Sequence, residues 1–211
     1  MKTVTLEAKN FEEIIFQTVS FLKKGKVLAL PTDTVYGLVA DAMNTDAIKK
    51  IFRIKTRLKE KALPIFVKDI ASARRLAYIS DEKAEFLERV WPGAVSAVFH
   101  HKGKLPKILT GDLETLALRM PDHKFLKEVL DKMDVPLAQT SANISGMPPA
   151  KNTKEIEHYF AKEKERPDLI IDAGEISSEP SMLVDLTKNS PIVLRSGIMT
   201  RGELDQLLRR F

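Results

Sequence analysis

Residues 31–38, with the sequence Pro-Thr-Asp-Thr-Val-Tyr-Gly-Leu, form the most informative segment of this chain. They follow residues 27–30, an apolar run that predicts a buried strand. Two hydroxyls (Thr32 and Thr34), a carboxylate (Asp33) and a phenol (Tyr36) therefore cluster just beyond a strand end. Ligands of α/β proteins commonly bind beyond strand ends, so the pattern favours a binding site. The alternative is a polar loop that only caps the strand and starts a turn.

Two further polar clusters carry groups that suit phosphates. Lys55 and Arg57 fall two residues apart at the end of a predicted helix, where an ammonium and a planar guanidinium can grip one polyphosphate. Cations that only stabilise the helix C-terminus are the simpler explanation of that pair by itself. Ser141 and Asn143 follow another predicted strand, and their hydroxyl and amide suit phosphate oxygens or a base, although an ordinary turn has the same composition.

Several common chemistries are disfavoured by what the sequence lacks. It contains no cysteine, which removes thiolate metal sites, disulfides and cysteine nucleophiles. It has no Walker-type phosphate loop, no Gly-x-Gly-x-x-Gly fingerprint and no Gly-x-Ser-x-Gly elbow. The histidines, which are His100, His101, His123 and His158, lack metal-ligand spacing and are better explained as surface residues. We therefore expect neither a protein-bound metal nor a covalent intermediate on a side chain.

The composition is that of an ordinary globular protein, with 44% hydrophobic residues, 30% charged residues and a net charge of +5. The positive balance favours anionic partners such as nucleotides, phosphate or nucleic acid, and a lysine-rich solvated surface would explain it equally well. The sequence shows neither an apolar run of membrane-spanning length nor an N-terminal leader pattern. We therefore expect a cytoplasmic protein with no membrane partner.

The hydrophobic periodicity predicts a single α/β domain over residues 1–211, with a central twisted mixed sheet flanked by helices. Helical spacing marks residues 10–25, a segment that starts at 44 or 45, residues 81–91 and 125–133, and a segment that starts at 153. Thr200 and Glu203 predict a capping box for a terminal helix. Short apolar or alternating runs predict strands at 27–30, 63–67, 94–99, 115–120, 136–139, 169–172, 182–186 and 191–195.

Taken together and in this order, the motifs resemble those of the YrdC-like threonylcarbamoyl-AMP synthase family. The resemblance rests on the segment 31–38, on Lys55-x-Arg57 and on Ser141-x-Asn143. Supporting matches, spread with these over residues 10–207, are Trp91-Pro92-Gly93, Leu118-Arg119-Met120-Pro121, Asp172-Ala173-Gly174, the stretch from Ser181 to Asp185, and Leu194-Arg195-x-Gly197. Two positions depart from the usual pattern: Ala62 stands where many members have proline, and Met182 stands where threonine is commoner.

The resemblance implies a YrdC-like fold in the short, single-domain form of the family. It implies a nucleotidyltransferase that joins L-threonine, bicarbonate and ATP into threonylcarbamoyl-AMP and pyrophosphate. Other proteins would then transfer the threonylcarbamoyl group to an adenosine of tRNA, so direct contact with tRNA is a further expectation. Mg²⁺ would accompany ATP, and Asp33 is the acidic candidate near it, although capping of its own loop is the simpler role for that residue.

Carried over residue by residue, the resemblance also implies two groups of site residues. The ATP-binding group is Lys55, Arg57, Thr115, Ser141, Asn143 and Arg195, in which Lys55 and Arg57 would also act in catalysis. The threonine-binding group is Thr32, Thr34, Tyr36, Arg119 and Ser181, in which the Arg119 guanidinium would bind the carboxylate in two places.

Two alternatives remain open from the sequence. A related domain of hydrogenase-maturation carbamoyltransferases makes carbamoyl-AMP from carbamoyl phosphate, although those proteins are far longer and carry zinc-binding cysteines. The second alternative is a module that only binds tRNA or double-stranded RNA through a basic surface. Release of pyrophosphate from ATP that depends on threonine would distinguish the enzyme from the binding module.

Overall fold

The computed structural model of the chain describes residues 1–56, 62–176, 178–198 and 202. Its strands are β1 (Lys2–Thr5), β2 (Leu28–Leu30), β3 (Gly37–Asp41), β4 (Ile65–Phe66), β5 (Val95–His100), β6 (Thr115–Arg119), β7 (Leu137–Ser141), β8 (Leu169–Asp172), β9 (Met182–Asp185) and β10 (Ile192–Arg195). Its α-helices are α1 (Phe11–Lys23), α2 (Thr45–Lys55), α3 (Ile70–Leu76), α4 (Asp81–Val90), α5 (Lys107–Thr110), α6 (Lys124–Lys132) and α7 (Thr153–Phe160).

The described strands form one sheet in the order β1-β8-β2-β3-β7-β4-β6-β5-β9-β10. Four neighbouring pairs are parallel: β1 with β8, β8 with β2, β4 with β6, and β5 with β9. The other five are antiparallel: β2 with β3, β3 with β7, β7 with β4, β6 with β5, and β9 with β10. The sheet is therefore mixed, as the sequence predicts.

One face of the sheet is covered by helices from β8 across to β9. The covering helices are α2, α3, α4, α5 and α7. Their apolar side chains, such as Ile51, Leu87 and Phe160, pack with strand residues such as Leu38 and Leu118. This layer is the larger of the two apolar cores, and its burial is the main source of stability for the sheet.

The opposite face is covered only in part. Helices α1 and α6 pack there, and side chains such as Ile15 and Phe125 meet Val39 and Phe66 on the strands below. Among the buried residues of this second cluster that the structure describes, none belongs to β5, β6, β9 or β10. In the part of the chain that the structure describes, about half of this face, formed by β5, β6, β9 and β10, thus has no helical cover, and this leaves room for a ligand.

The predicted architecture, an α/β domain with a central mixed sheet and flanking helices, is confirmed. Of the two residues predicted to start the second helix, Asn44 is the cap, because its side chain accepts hydrogen bonds from the main-chain nitrogens of Asp46 and Ala47. No described helix is both long enough and apolar enough to cross a membrane. The extent of the domain, 1–211, stays a prediction.

Several elements differ from the sequence prediction. β3 was not predicted, because it begins inside the polar segment 31–38 and its five residues do not alternate in polarity. The short elements β1, α3 and α5 were also missed, since four to seven residues carry little periodicity. β7 continues to Ser141, so that residue ends a strand and does not begin a loop. The predicted terminal helix with Thr200 and Glu203 lies outside the described residues.

The partial cover of the second face predicts unequal costs for two phenylalanine truncations. Phe125 is 1% exposed and meets the Phe11 ring edge-on, whereas Phe16 on α1 is 62% exposed. We expect Phe125→Ala to lower the free energy of unfolding by about 3–5 kcal/mol. The matched control, Phe16→Ala, should lower it by less than about 1 kcal/mol. Urea denaturation of both variants measures this, and equal losses would contradict the assignment of this core.

Candidate functional site

The uncovered half of the sheet forms the floor of a cavity of about 330 Å³. Alternate residues of a strand point to the same face, so neighbouring strands contribute one side chain after another to this floor. The floor residues on β7, β6, β5 and β9 are Gln139, Ser141, Ala117, Arg119, Ser96 and Leu183. The walls are Thr34, Val35, residues 62–64, Thr140, Pro149, Pro180, Ser181 and Arg195. The site thus lies across a face of the sheet as well as beyond a strand end.

Arg119, the last residue of β6, is a cation of which only 2% is exposed. Its Nε donates to the carbonyl of Gly93 at 2.9 Å, and its Nη1 donates to Oγ1 of Thr34 at 3.1 Å. Its Nη2 lies 2.7 Å from Oδ2 of Asp33, and the Phe66 ring centroid lies 5.8 Å from its Cζ. Since a guanidinium has five N–H donors, these contacts leave donors for a ligand in the cavity.

The loop between β2 and β3 is shaped by the Thr32 hydroxyl. Thr32 Oγ1 accepts hydrogen bonds from the main-chain nitrogens of Thr34 and Val35 at 3.0 and 3.1 Å, and it donates to the Val35 carbonyl at 2.6 Å. This turn places the Thr34 hydroxyl against Arg119 and brings Asp33 to the same guanidinium. Thr32 is therefore a residue that positions the loop, and it is not among the cavity-lining residues.

The opposite wall is held together by Arg195 on β10. Its Nε and Nη2 donate to the Ser181 carbonyl at 3.1 and 2.8 Å, and Oγ of Ser181 lies 3.0 Å from Oγ of Ser96. Gly197 allows the two segments to approach this closely, because a Cβ there would lie 2.2 Å from the main-chain nitrogen of Met182. A side chain at 197 would thus push the arginine away from the cavity wall.

Lys55, the last residue of α2, directs its ammonium at the end of β7. Its Nζ donates to the Ser141 carbonyl at 2.8 Å and to Oδ1 of Asn143 at 2.6 Å, and the Ser141 hydroxyl donates to the same Oδ1 at 2.6 Å. Thr56 follows with a positive φ of 50°, which ends the helix. The side chain is 3% exposed, so its charge is held beside this loop and does not project freely into solvent.

The cavity has a positive electrostatic character. Its described lining residues include two arginines, Arg119 and Arg195, and no aspartate or glutamate. Burial lowers the pKa of Arg119, Asp33 opposes this shift, and the charge of Arg195 adds to it. Burial also lowers the pKa of Arg195. Guanidinium groups nevertheless stay charged at neutral pH, so the arrangement suits a carboxylate or a phosphate.

The structure brings together most of the predicted site residues. Those that line the cavity are Thr34, Arg119, Ser141, Ser181 and Arg195. Lys55 and Asn143 lie directly behind Ser141 through the hydrogen bonds given above. Thr115, at the start of β6, shares a strand face with Ala117 but is not among the lining residues. Arg57 lies outside the described residues, so its predicted role stays a prediction.

Tyr36 is not brought into the cavity. It is fully buried in the core on the helix-covered face of the sheet. Its hydroxyl donates to the Gly174 carbonyl at 2.7 Å and accepts from the main-chain nitrogen of Ala173 at 3.0 Å. Burial raises the pKa of Tyr36 to about 12, with the nearby charge of Asp172 adding to the rise. The phenol therefore anchors the chain after β8, and a contact with threonine does not follow from its position.

Two polar floor residues, Ser96 and Gln139, were missed by the sequence analysis. A signal for Ser96 was available, since it is the single hydroxyl in the otherwise apolar run 95–99. Asp33 was predicted as a capping residue or a magnesium neighbour, and the structure instead pairs it with Arg119. In the described part of the chain, no group of three or more histidine, aspartate or glutamate side chains could hold a metal ion.

Comparison with known proteins gives one family and several relatives. The sequence model of the Sua5/YciO/YrdC family, described as "Telomere recombination", matches residues 20–197. A Pyrococcus abyssi protein named threonylcarbamoyl-AMP synthase is 35% identical over 191 residues, which are 89% of this chain and 55% of the relative. A Bacillus subtilis protein with the same name is 34% identical over 208 residues, which are 97% of this chain and 59% of the relative. The chain thus spans less than two thirds of both relatives.

A solved structure shares the fold over nearly the whole chain. The crystal structure of P. abyssi Sua5 complexed with L-threonine matches with a TM-score of 0.88 and 32% identity. The match covers 98% of this chain and 60% of that protein. The arrangement of helices around the mixed sheet is therefore one that a threonine-bound relative also has.

The position of Tyr36 predicts a structural effect of its hydroxyl that depends on pH. We expect Tyr36→Phe to lower the free energy of unfolding by about 1–2 kcal/mol near neutral pH, because buried main-chain groups lose a partner. The folded pKa of about 12 exceeds the ordinary 10.0, so the stabilisation is complete below pH 10 and declines as pH rises towards 12. Denaturation curves of both proteins at several pH values test this, and a constant difference up to pH 12 would contradict it.

Proposed function

The chain belongs to the Sua5/YciO/YrdC family, and we propose that it acts as an L-threonylcarbamoyladenylate synthase. The proposed reaction joins L-threonine, bicarbonate and ATP into threonylcarbamoyl-AMP and releases pyrophosphate. The shared name of the P. abyssi and B. subtilis relatives supports this activity. Because those relatives are much longer than the matched region, activity of this chain by itself is part of the proposal.

The observation that carries the proposal is the cavity on the uncovered half of the sheet. It combines two guanidinium groups with the hydroxyls of Thr34, Ser96 and Ser181, and its described lining has no carboxylate. Such a lining suits a small polar anion or zwitterion with hydrogen-bonding groups of its own. The P. abyssi structure with bound L-threonine supports an amino acid as that ligand.

We propose that the Arg119 guanidinium binds the carboxylate of threonine. Arg119 lines the cavity and its guanidinium is held by three protein contacts, so little side-chain freedom would be lost when a carboxylate binds. Thr34 and Ser181, on opposite walls, would then contact the rest of the amino acid. Fixing the substrate in this way would hold its amine for reaction, which is the main catalytic contribution that positioning can make.

We propose that ATP binds at the end of the cavity that Ser141 lines. Lys55 and Asn143 form a hydrogen-bonded cluster with Ser141, and this cluster places one positive charge beside the cavity. Arg195 would contact the nucleotide from the β10 side. Thr115 lies at the start of β6, which is at the same end of the sheet as Ser141 because β6 and β7 run in opposite directions. Arg57, the remaining predicted ATP ligand, keeps its proposed role in binding phosphates and in catalysis.

The proposed chemistry needs no covalent intermediate on the protein. The threonine amine and bicarbonate condense to a carbamate with loss of water. A carbamate oxygen then attacks the α-phosphorus of ATP, and the bond to the pyrophosphate leaving group breaks. The described cavity residues supply cations and hydroxyls that can stabilise the negative charge of the phosphates as this bond breaks.

Magnesium is part of the proposal only together with ATP. Mg²⁺ binds hard oxygen ligands and is commonly held by substrate phosphates and a few carboxylates. Among the described residues no carboxylate lines the cavity, and Asp33 is already paired with Arg119. The described residues therefore do not provide a ligand set for the ion, and it would arrive on the phosphates of the nucleotide.

The finer parts of the proposal concern location and partners. We place the protein in the cytoplasm, where its substrates and tRNA are found. The product is a mixed anhydride, so a transfer protein must accept the threonylcarbamoyl group and pass it to tRNA. Direct contact with tRNA is compatible with the net charge of +5.

The proposed reaction predicts that pyrophosphate release depends on two co-substrates. We expect release from ATP only when both L-threonine and bicarbonate are present, because the carbamate is the nucleophile. The measurement is a pyrophosphate assay in degassed, carbonate-free buffer, with each component added separately. Carbon from labelled bicarbonate should appear in the adenylate product.

The other outcomes of this assay identify the alternatives. Full activity without bicarbonate would indicate an ordinary amino-acid adenylating enzyme. Activity only with carbamoyl phosphate would indicate the carbamoyl-AMP chemistry of the maturation enzymes. Salt-sensitive RNA binding without turnover would indicate a binding module.

The assignment of Arg119 predicts a selective effect of Arg119→Lys. An ammonium cannot reproduce the planar contacts to Gly93, Asp33 and a carboxylate at once. Loss of a charge-assisted hydrogen bond costs roughly 1.5–3 kcal/mol, so we expect the KM for threonine to rise about tenfold or more. The KM for ATP should change much less.

The matched control is Arg53→Lys, which makes the same chemical change at an exposed ion pair with Glu165. It should leave both KM values unchanged, because exposed pairs contribute little. Steady-state kinetics with each substrate varied in turn gives the comparison. An equal rise of both KM values in Arg119→Lys would show that Arg119 serves the fold or the nucleotide.

A further inference from the structure

Asp33 has an unusual position for a carboxylate beside an anion-binding cavity. It is not a lining residue, but its Oδ2 lies 2.7 Å from Nη2 of Arg119, and the side chains of this pair are only 12% and 2% exposed. The same Oδ2 accepts a hydrogen bond from the main-chain nitrogen of Asp122 at 3.1 Å. The carboxylate is therefore fixed immediately behind the guanidinium that faces the cavity.

The other oxygen of this carboxylate is left without a partner. Oδ1 of Asp33 is buried and has no hydrogen-bond partner among the described residues. No protein donor therefore screens this side of the carboxylate, and charges interact strongly where water is excluded. Arg119 and Asp33 thus form a neutral pair, and Arg195 supplies the net positive charge of the described lining.

The carboxylate of the Arg119–Asp33 pair opposes the binding of some anions more strongly than that of others. Any anion that binds Arg119 lies close to Asp33, because both contact the same small guanidinium. Compared with an uncharged residue at position 33, the carboxylate opposes the binding of a dianion such as sulfate or hydrogen phosphate by twice as much electrostatic energy as that of a monoanion. A zwitterionic amino acid feels less still, since its ammonium group offsets the repulsion of its carboxylate.

We propose that Asp33 is a specificity-determining residue that keeps inorganic dianions out of the Arg119 pocket while admitting a zwitterionic amino acid. The part about the amino acid depends on the proposed function, whereas the exclusion of dianions depends only on the ion pair. The proposal gives a reason for a buried carboxylate at an anion site, where an uncharged acceptor such as asparagine would orient Arg119 without the repulsion.

The experiment compares the binding of sulfate to four proteins by thermal melting, with no substrate present. They are the wild type, Asp33→Asn, the control Asp122→Asn, and the double variant Asp33→Asn with Arg119→Gln. Sodium chloride is replaced stepwise by sodium sulfate at constant ionic strength and pH 8. Asp122 is a matched control because its exposed side chain carries the same charge nearby, and only its main-chain nitrogen contacts Asp33.

We expect sulfate to raise the melting temperature of Asp33→Asn in a saturable way, with an affinity about tenfold or more above that of the wild type. Asp122→Asn should respond like the wild type. The double variant should also lose the response, because the guanidinium that binds the dianion is gone. A response of Asp33→Asn no greater than that of Asp122→Asn would overturn the proposal, and so would an undiminished response of the double variant.

The comparison also holds if Asp33→Asn does not fold in chloride, because that variant leaves a buried cation without its counter-charge. Recovery of its folding by sulfate would support the proposal, and failure in both salts while the double variant folds would overturn it. Because melting needs no turnover, this result is separate from the pyrophosphate assay. A chain without synthase activity can still show the exclusion of sulfate, and an active synthase can fail to show it.

Discussion

The buried positive charge of Arg119 is the constraint on which the rest of the site depends. A guanidinium taken out of water must find hydrogen-bond acceptors and a counter-charge, or the fold loses several kcal/mol. Gly93 supplies a carbonyl, Thr34 a hydroxyl and Asp33 the counter-charge. Two other segments of the chain, the loop after β2 and the segment at Gly93, are thereby held around one side chain, and the loop after β2 takes its place at the cavity for this reason.

The second determinant is the unequal covering of the sheet. Helices α1 and α6 bury the half of one face that carries large apolar side chains such as Phe66 and Leu137. The other half carries Ser96, Ala117 and Arg119. Ser96 and Arg119 are buried there, and they make hydrogen bonds with residues of other segments around the cavity. The same alternation of side chains that builds the core therefore also leaves a polar floor open to a substrate. A rigid sheet is a good support for such a floor, because positioning is the catalytic task that we propose for it.

The sequence predicted the class of fold and five of the residues that line the cavity, for different physical reasons. Long helices and buried strands have strong periodicity, so α1, α2, α4 and α6 were predicted. The apolar strand β3 was not, because it begins within the polar segment 31–38. Residue spacing does not show that the Thr32 hydroxyl bonds within its own loop whereas the Thr34 hydroxyl accepts from Arg119. Nor does it show that the Tyr36 phenol lies on the opposite face of the sheet from the cavity. The partner of Asp33 is 86 residues away along the chain, and only the folded structure brings the two together.

The most direct test of the central claim is a crystal structure of the chain with L-threonine bound. The account predicts that the threonine carboxylate lies within hydrogen-bond distance of Arg119, in the cavity between Thr34 and Ser181. It also predicts that the ion pair between Arg119 and Asp33 is still present in the complex. Threonine bound elsewhere, or bound in this cavity with its carboxylate away from Arg119, would contradict the account.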